Sequence, residues 1–452
     1  MKQLMRKWFG DRAFLERLMR ITLPISLQSF MLAAVAAADS LMLGSLDSRM
    51  MSAVSQATQV QFIQNMIISS VVSGCTILGA QYWGKGEKQT VRDIFCVTLR
   101  LNAFISVLFF VACRFFPRAL MTVFTNEPEL QDFGIEYLKI AAWSYLLTGI
   151  SQCYLGVMKV SEHPREAANI SIFAVVLNIV LNALLIYGIG VFPRMDARGA
   201  ALATVIARIA ELGICVILSL RKSYIRPSFR ALTRFHRYIA KDFTACVLPV
   251  LSSSLLWGAG FTSYTAFMGH MGKAAAAANA IAAVVRDLVC CMCNGVASAA
   301  GIIIGNSLGA GKLDEGKLYG DRIMRLSFAI GGLSTLVMLA LTPLLMTFVR
   351  LDGEARRHLI SMMLIMAVYM IGRCVNTVVI NGIFYCGGDI IFDTISLIAA
   401  MWCLAVPLAF IGTYLKWPVP VVYACTCLDE VGKIPWVTAH YRKYKWVKDL
   451  TR

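Results

Sequence analysis

Asp39 stands in "FMLAAVAAADSLMLGS" (30–45), a stretch otherwise apolar or small throughout. It follows Pro24 by 15 residues, which is about 22 Å along a helix rising about 1.5 Å per residue. That places it in the outer part of a membrane span. A carboxylate there costs about 3 kcal/mol or more unless it is paired, solvated or protonated. A group that takes a proton facing one side and releases it facing the other is what a proton-coupled carrier needs. The plainer role is an aspartate near a helix end that reaches headgroup water or caps a neighbour. Asn178 and Asn182 lie four apart in "SIFAVVLNIVLNALLIYGIG" and share a helix face. Their amide oxygens can solvate a cation or hydrogen-bond a carboxylic acid; interhelical bonding is the competing use. Gln56, Gln59 (or Asn65) and Gln64 form a polar stripe suited to a wet cavity, or equally to joining helices. Arg373 with Asn376, and the adjacent Arg286 and Asp287, either line that cavity or make structural pairs.

Such groups must be held by membrane helices. Of the 452 residues, 58% are hydrophobic and 15% charged, with mean hydropathy +0.67; soluble domains carry about 25% charged residues. The apolar runs are long enough for helical spans of about 20 residues, whereas a membrane β-barrel would show short alternating segments. Twelve spans are expected near 14–45, 52–82, 91–117, 132–158, 166–191, 197–221, 241–270, 276–308, 318–349, 357–386, 390–414 and 418–440. The basic opening "MKQLMRKWFGDRAFLERLMR" precedes an apolar run too long for a signal peptide, so no cleavable signal is expected. The net charge of +17 reads as positive-inside loops rather than nucleic-acid binding. The 14 cysteines lack paired spacing, and "CCMC" at 290–293 sits in an apolar helix, where buried cysteines act as small apolar residues.

Basic residues recur on alternate connections: Lys85 and Lys88, Lys159 and Arg165, the central "RKSYIRPSFRALTRFHRYIAK", Lys312 and Lys317, and the C-terminal tail. Both termini are therefore expected in the cytoplasm of a plasma-membrane protein. The central connection at 222–240 divides an N-terminal lobe (1–221) from a C-terminal one (241–452), six helices each. A shift of 225 residues places Leu23-Pro24 on Leu248-Pro249, Gly84 on Gly309 and Gly86 on Gly311 without a gap. An even number of spans per repeat gives both repeats the same orientation. Gly301, Gly305 and Gly309 form a small-residue ridge, matched by Thr76, Ala80 and Gly84, and read as helix packing. "GNSLGAGK" at 305–312 is not a phosphate loop: the first glycine of that pattern is replaced by Asn306, and Leu313 follows the lysine. HExxH is missing as well. No enzyme activity, metal or cofactor is expected, and an ion gradient must drive any transport.

The chain resembles the multidrug and toxic compound extrusion (MATE) transporters, bacterial members above all. The matching stretches are "LPISLQSFMLAAVAAADSLMLG", "GAQYWGKGE", "NIVLNALLIYG", "ARGAALATVIAR", "NGIFYCGGDIIFD" and "CLDEVGKIPWVTAHYRKYKWVKDLT". Their order covers essentially the whole chain. The resemblance implies two six-helix lobes about a central cavity, alternating access, and export of amphipathic, mostly cationic small molecules against H⁺ or Na⁺. It also implies ion coupling at Asp39, the first-helix carboxylate, with Asn178 and Thr204 as partners. Three departures stand out: Asn182 where many relatives have Asp, Ser254 where many have Glu, and Tyr385 in place of an arginine. They weaken a second coupling site in the C-terminal lobe and leave Asp39 with neutral partners. The alternative cargo reading is a lipid-linked oligosaccharide flippase or a metabolite exporter, for which Arg208, Arg286 and Arg373 would supply positive charge. An intramembrane lipid-modifying enzyme would need a nucleophile, base or metal cluster that the sequence lacks, and a passive channel would show flux faster than a carrier. A monomer suffices.

Overall fold

The computed structural model describes residues 12–44, 48–125, 127–190, 192–221, 224–228, 231–232, 237–348 and 353–451; the side chains of 36–41, 43–44 and 48 lie outside that description. The helices run α1 (Arg12–Gly44), α2 (Ser48–Lys85), α3 (Lys88–Phe115), a short Pro117–Phe124 turn of helix, α4 (Pro128–Val160), α5 (Pro164–Tyr187), α6 (Asp196–Ser219) and α7 (Arg237–His270). They continue through α8 (Lys273–Gly309), α9 (Leu313–Phe348), α10 (Gly353–Phe384), α11 (Ile391–Tyr414), α12 (Val419–Val431) and α13 (Ile434–Tyr441). No strand occurs among the described residues, and ten of the helices are long and apolar enough to cross a membrane. Each of the twelve expected spans is met by a helix, the last by α12 and α13 together.

Local chemistry explains the boundaries. Proline opens α4, α5 and α12, where its missing N–H has no helical partner to lose. Gly86 and Gly311, the repeat-related pair, end α2 and α8 with φ of 85° and 74°, a conformation that a Cβ disfavours. Pro24 and Pro249 both lie inside long helices. The turns widen to π geometry over Thr377–Phe384 in α10 and Ile398–Ala405 in α11, an arrangement frequent at functional sites.

The chain divides into two compact units. One comprises Phe30–Gly79 and Glu87–Val247; the other comprises Met1–Ser29, Ala80–Gly86 and Leu248–Arg452. In the first, α2, α4 and α6 meet around Ala57, Leu138, Tyr145 and Ala201, all fully buried. In the second, Tyr264 of α7 packs on Leu397, Met401 and Ala405 of α11. Within this second unit the end of α2 crosses α8 backbone to backbone: a Cβ on Gly84 would overlap the Asn306 main chain, and one on Gly309 that of Gln81. The glycine ridge is thus a packing surface, as small residues in membrane helices commonly are. Phe104, Leu108, Leu336, Val368 and Phe410 are exposed while Gln64, Ser144, Asn182 and Ser327 are buried. That inversion costs nothing where the surrounding medium is lipid.

The C-terminal tail is tied down. Trp446 is fully buried, and the Tyr441 and Tyr444 hydroxyls donate to Asp321 Oδ1 at 2.6 and 3.1 Å. Burial and the adjacent Asp321 carboxylate hold the Tyr444 phenol above its ordinary pKa. Gln81 Nε2 donates to the carbonyls of Cys386 (2.6 Å) and Lys448 (3.1 Å), and its Oε1 accepts from the Leu450 N–H at 2.6 Å.

Candidate functional site

Two polar clusters lie among apolar helices, one in each unit. The first is built by α5 and α6. Asn178 and Asn182 are one helical turn apart, and the Asn182 Nδ2 donates to Asn178 Oδ1 at 3.3 Å. Asn178 Nδ2 in turn donates to Thr204 Oγ1 at 3.3 Å, and the Thr204 hydroxyl donates to the Ala200 carbonyl at 3.0 Å. Donors therefore point in one direction, from α5 to the α6 backbone. Both asparagines are buried, where polar groups persist only when hydrogen-bonded. Asp39 belongs to α1, but its side chain lies outside the described residues. Three of the four residues expected to couple ions thus form one hydrogen-bonded chain.

The cavity candidates on α2 have different surroundings. Gln64 is buried and donates to the Tyr145 carbonyl at 2.9 Å, so it joins α2 to α4. Gln59 and Asn65 are exposed, and Gln56 is intermediate with its Oε1 buried and without a hydrogen bond. The stripe read from spacing is therefore not one uniform polar face.

The second cluster is built by α7, α8, α10 and α12. Arg373 Nη1 donates to Glu430 Oε1 at 2.6 Å, while Asn376 Nδ2 donates to Glu430 Oε2 at 2.7 Å and to the Glu430 carbonyl at 2.8 Å. Both carboxylate oxygens of Glu430 are taken, the geometry a buried ion pair needs to offset its desolvation. Trp257 and Phe261 stack on α7 with ring centroids 5.3 Å apart. The Arg373 guanidinium lies 5.6 Å from the Trp257 centroid and that of Arg286 4.4 Å from the Phe261 centroid, within cation–π range. Arg286 also pairs with Asp287 at 2.8 Å. Elsewhere, on α6, Arg208 is bound to the fully buried Glu211. Tyr385, which replaces the expected arginine, donates its hydroxyl to Asp393. No group of three His, Cys, Asp or Glu among the described residues is placed to hold a metal.

Asp429, Glu430 and Lys433 are the functional candidates that spacing alone missed. All are buried. The available signal was three charges in "LDEVGK", inside the segment expected to form the last span; what they meet is far away in sequence.

The MatE family model matches residues 24–184 and 249–411, and the chain belongs to this family of membrane transporters. Among curated proteins it is 20% identical over 443 residues to the uncharacterized transporter YisQ of Bacillus subtilis, covering 97% of this chain and 96% of that one. It is 23% identical over 308 residues to a probable multidrug resistance protein NorM of Thermotoga maritima, covering 66% and 64%. The crystal structure of a mutant form of the Vibrio cholerae MATE transporter VcmN superposes with a TM-score of 0.88 at 14% identity, covering 97% of this chain and 98% of that one. The fold is the twelve-helix membrane fold of MATE transporters, and the protein is a multi-pass transporter, not an enzyme.

Proposed function

We propose that the protein exports organic cations by alternating access in exchange for H⁺, with Na⁺ as the alternative coupling ion. In this reading Asp39 carries the ion, and Asn178, Asn182 and Thr204 orient and solvate it. The lobes are 1–221 and 241–452, both termini face the cytoplasm, and a single chain suffices. The observation that carries the cargo assignment is the pairing of Arg208, Arg286 and Arg373, each with its own carboxylate. A flippase or metabolite exporter handling pyrophosphate or carboxylate cargo would use such arginines as free positive charge. With their charge neutralised, and with stacked aromatics beside two of them, the surroundings suit a cationic amphiphile. A cationic dye loaded into vesicles tests the reading under an imposed pH gradient, then a Na⁺ gradient. Export by wild type that is lost in Asp39→Asn is expected, and the effective gradient names the ion. Export untouched by Asp39→Asn removes the coupling role from Asp39, and no dye movement under either gradient overturns the cationic cargo.

A further inference from the structure

The α12 cluster holds two adjacent acids whose situations differ. Glu430 has both oxygens engaged by Arg373 and Asn376. Its neighbour Asp429 is 3% exposed, yet its Oδ1 has no hydrogen-bond partner. The Tyr264 phenol of α7 stands beside this carboxylate; it is 9% exposed and its hydroxyl likewise has no partner. Two buried polar atoms that could satisfy each other, or a shared occupant, are left open side by side. Leaving such groups unpaired forfeits their hydration without a replacement bond, so a site of this kind persists where something transient fills it.

We infer that Asp429, with the Tyr264 hydroxyl beside it, is a second proton-exchanging site, located wholly in the unit that contains α8 to α12. Arg373 and Glu430 cancel each other, which leaves Lys433, four residues beyond Asp429 in the turn between α12 and α13, as its counter-charge. With Asp429 ionised, these two cations and two anions sum to zero; with Asp429 protonated the cluster carries +1. The exchange is a plain acid–base step: water-borne H⁺ forms an O–H bond at the Asp429 carboxylate, and the same bond breaks when the proton returns to water. The titratable groups that face Asp429 are Tyr264 from α7, Tyr369 and Arg373 from α10, Tyr423, Cys427 and Glu430 on α12, and Lys433 in the turn after it. From α8, Arg286 and Asp287 act on Tyr423, and from α11 Asp393 faces Glu430. This site is separate from the amide chain of α5 and α6, and only its use in transport rests on the antiport reading.

The test uses the purified full chain in lipid nanodiscs, without cargo or gradient, so a failure of the antiport reading does not affect it. Infrared difference spectra between acid and alkaline buffers report protonated carboxyl groups through their carbonyl stretch. A band that vanishes on alkalinisation is expected in wild type and in Asp39→Asn and is expected to be missing in Asp429→Asn. Tyr264→Phe should keep the band and move its pH midpoint by about one unit, because the neighbouring phenol dipole is removed, the equivalent of about 1.4 kcal/mol. Spectra of Asp429→Asn that match wild type overturn the inference. Should Asp429→Asn not fold, Tyr264→Phe decides alone: a midpoint unchanged for every band overturns it.

Discussion

At the residue scale, the two buried clusters differ in what they can lose. The Arg373–Glu430 pair is a closed arrangement, with each hydrogen-bonding oxygen of the carboxylate engaged. Arg373→Met leaves a buried carboxylate without its cation and should destabilise the protein by about 3–5 kcal/mol, read as a lower Tm in detergent. Combining it with Glu430→Met should recover most of that loss, because the uncompensated carboxylate is gone. If the double variant is no more stable than the single one, the pair is not the source of the effect. The α5–α6 chain is made of neutral groups and should behave differently. Asn178 is its middle member, donor to Thr204 and acceptor from Asn182. Asn178→Ala should reduce gradient-driven dye export about tenfold, a loss of about 1.4 kcal/mol in the coupled step, with little change in Tm. A variant that transports like wild type would assign the chain to helix packing alone.

At the element scale, the stretch "GAQYWGKGE" owes its glycines to two separate demands. Gly84 allows the α2 backbone to meet α8 at Asn306, and Gly86 adopts a positive φ where the chain turns into α3. The consequences of substitution should differ accordingly. Gly309→Leu, at the reciprocal point of the same crossing, forces the helices apart and should abolish recovery of a monodisperse protein on size exclusion. Gly86→Ala meets no neighbour within 4 Å and should cost only about 1 kcal/mol through backbone strain. Equal damage from both would show that the crossing is looser than its geometry. The repeat made this region legible: Gly84 and Gly86 fall on Gly309 and Gly311, and glycine and proline mark structural necessity more sharply than alanine or valine.

At the scale of the whole molecule, the C-terminal tail closes one unit on itself. Trp446 is fully buried, and the tail reaches the end of α2 through Gln81. Trp446→Ala should lower stability by about 3–5 kcal/mol, visible as a reduced Tm, while deletion of residues 442–452 should cost at least as much. Retention of the wild-type Tm would mean that the tail merely rests on the surface. Orientation is the other property of the whole chain. With cytoplasmic termini, a membrane-impermeant thiol reagent applied from outside should modify Glu127→Cys and spare Arg452→Cys in a cysteine-depleted background. The opposite pattern would invert the topology derived from basic loops.

The sequence by itself determined the helices, their number and the internal duplication, because hydropathy and the positions of proline and glycine are local properties that a single segment displays. It also brought Asn178 and Asn182 onto one face, since four-residue spacing is part of the helix. Pairings across helices were decided only by the tertiary structure. Gln64 could by spacing line a cavity or join helices, and in the fold it joins α2 to the carbonyl of Tyr145, 81 positions away. Arg373 could by spacing line a cavity or make a structural pair, and its partner is Glu430, 57 positions on. The same packing leaves Asp429 open while it closes Glu430, although the two are neighbours in the chain. A buried charge has its energy set by the few atoms around it, and those atoms are supplied by segments that the sequence keeps far apart.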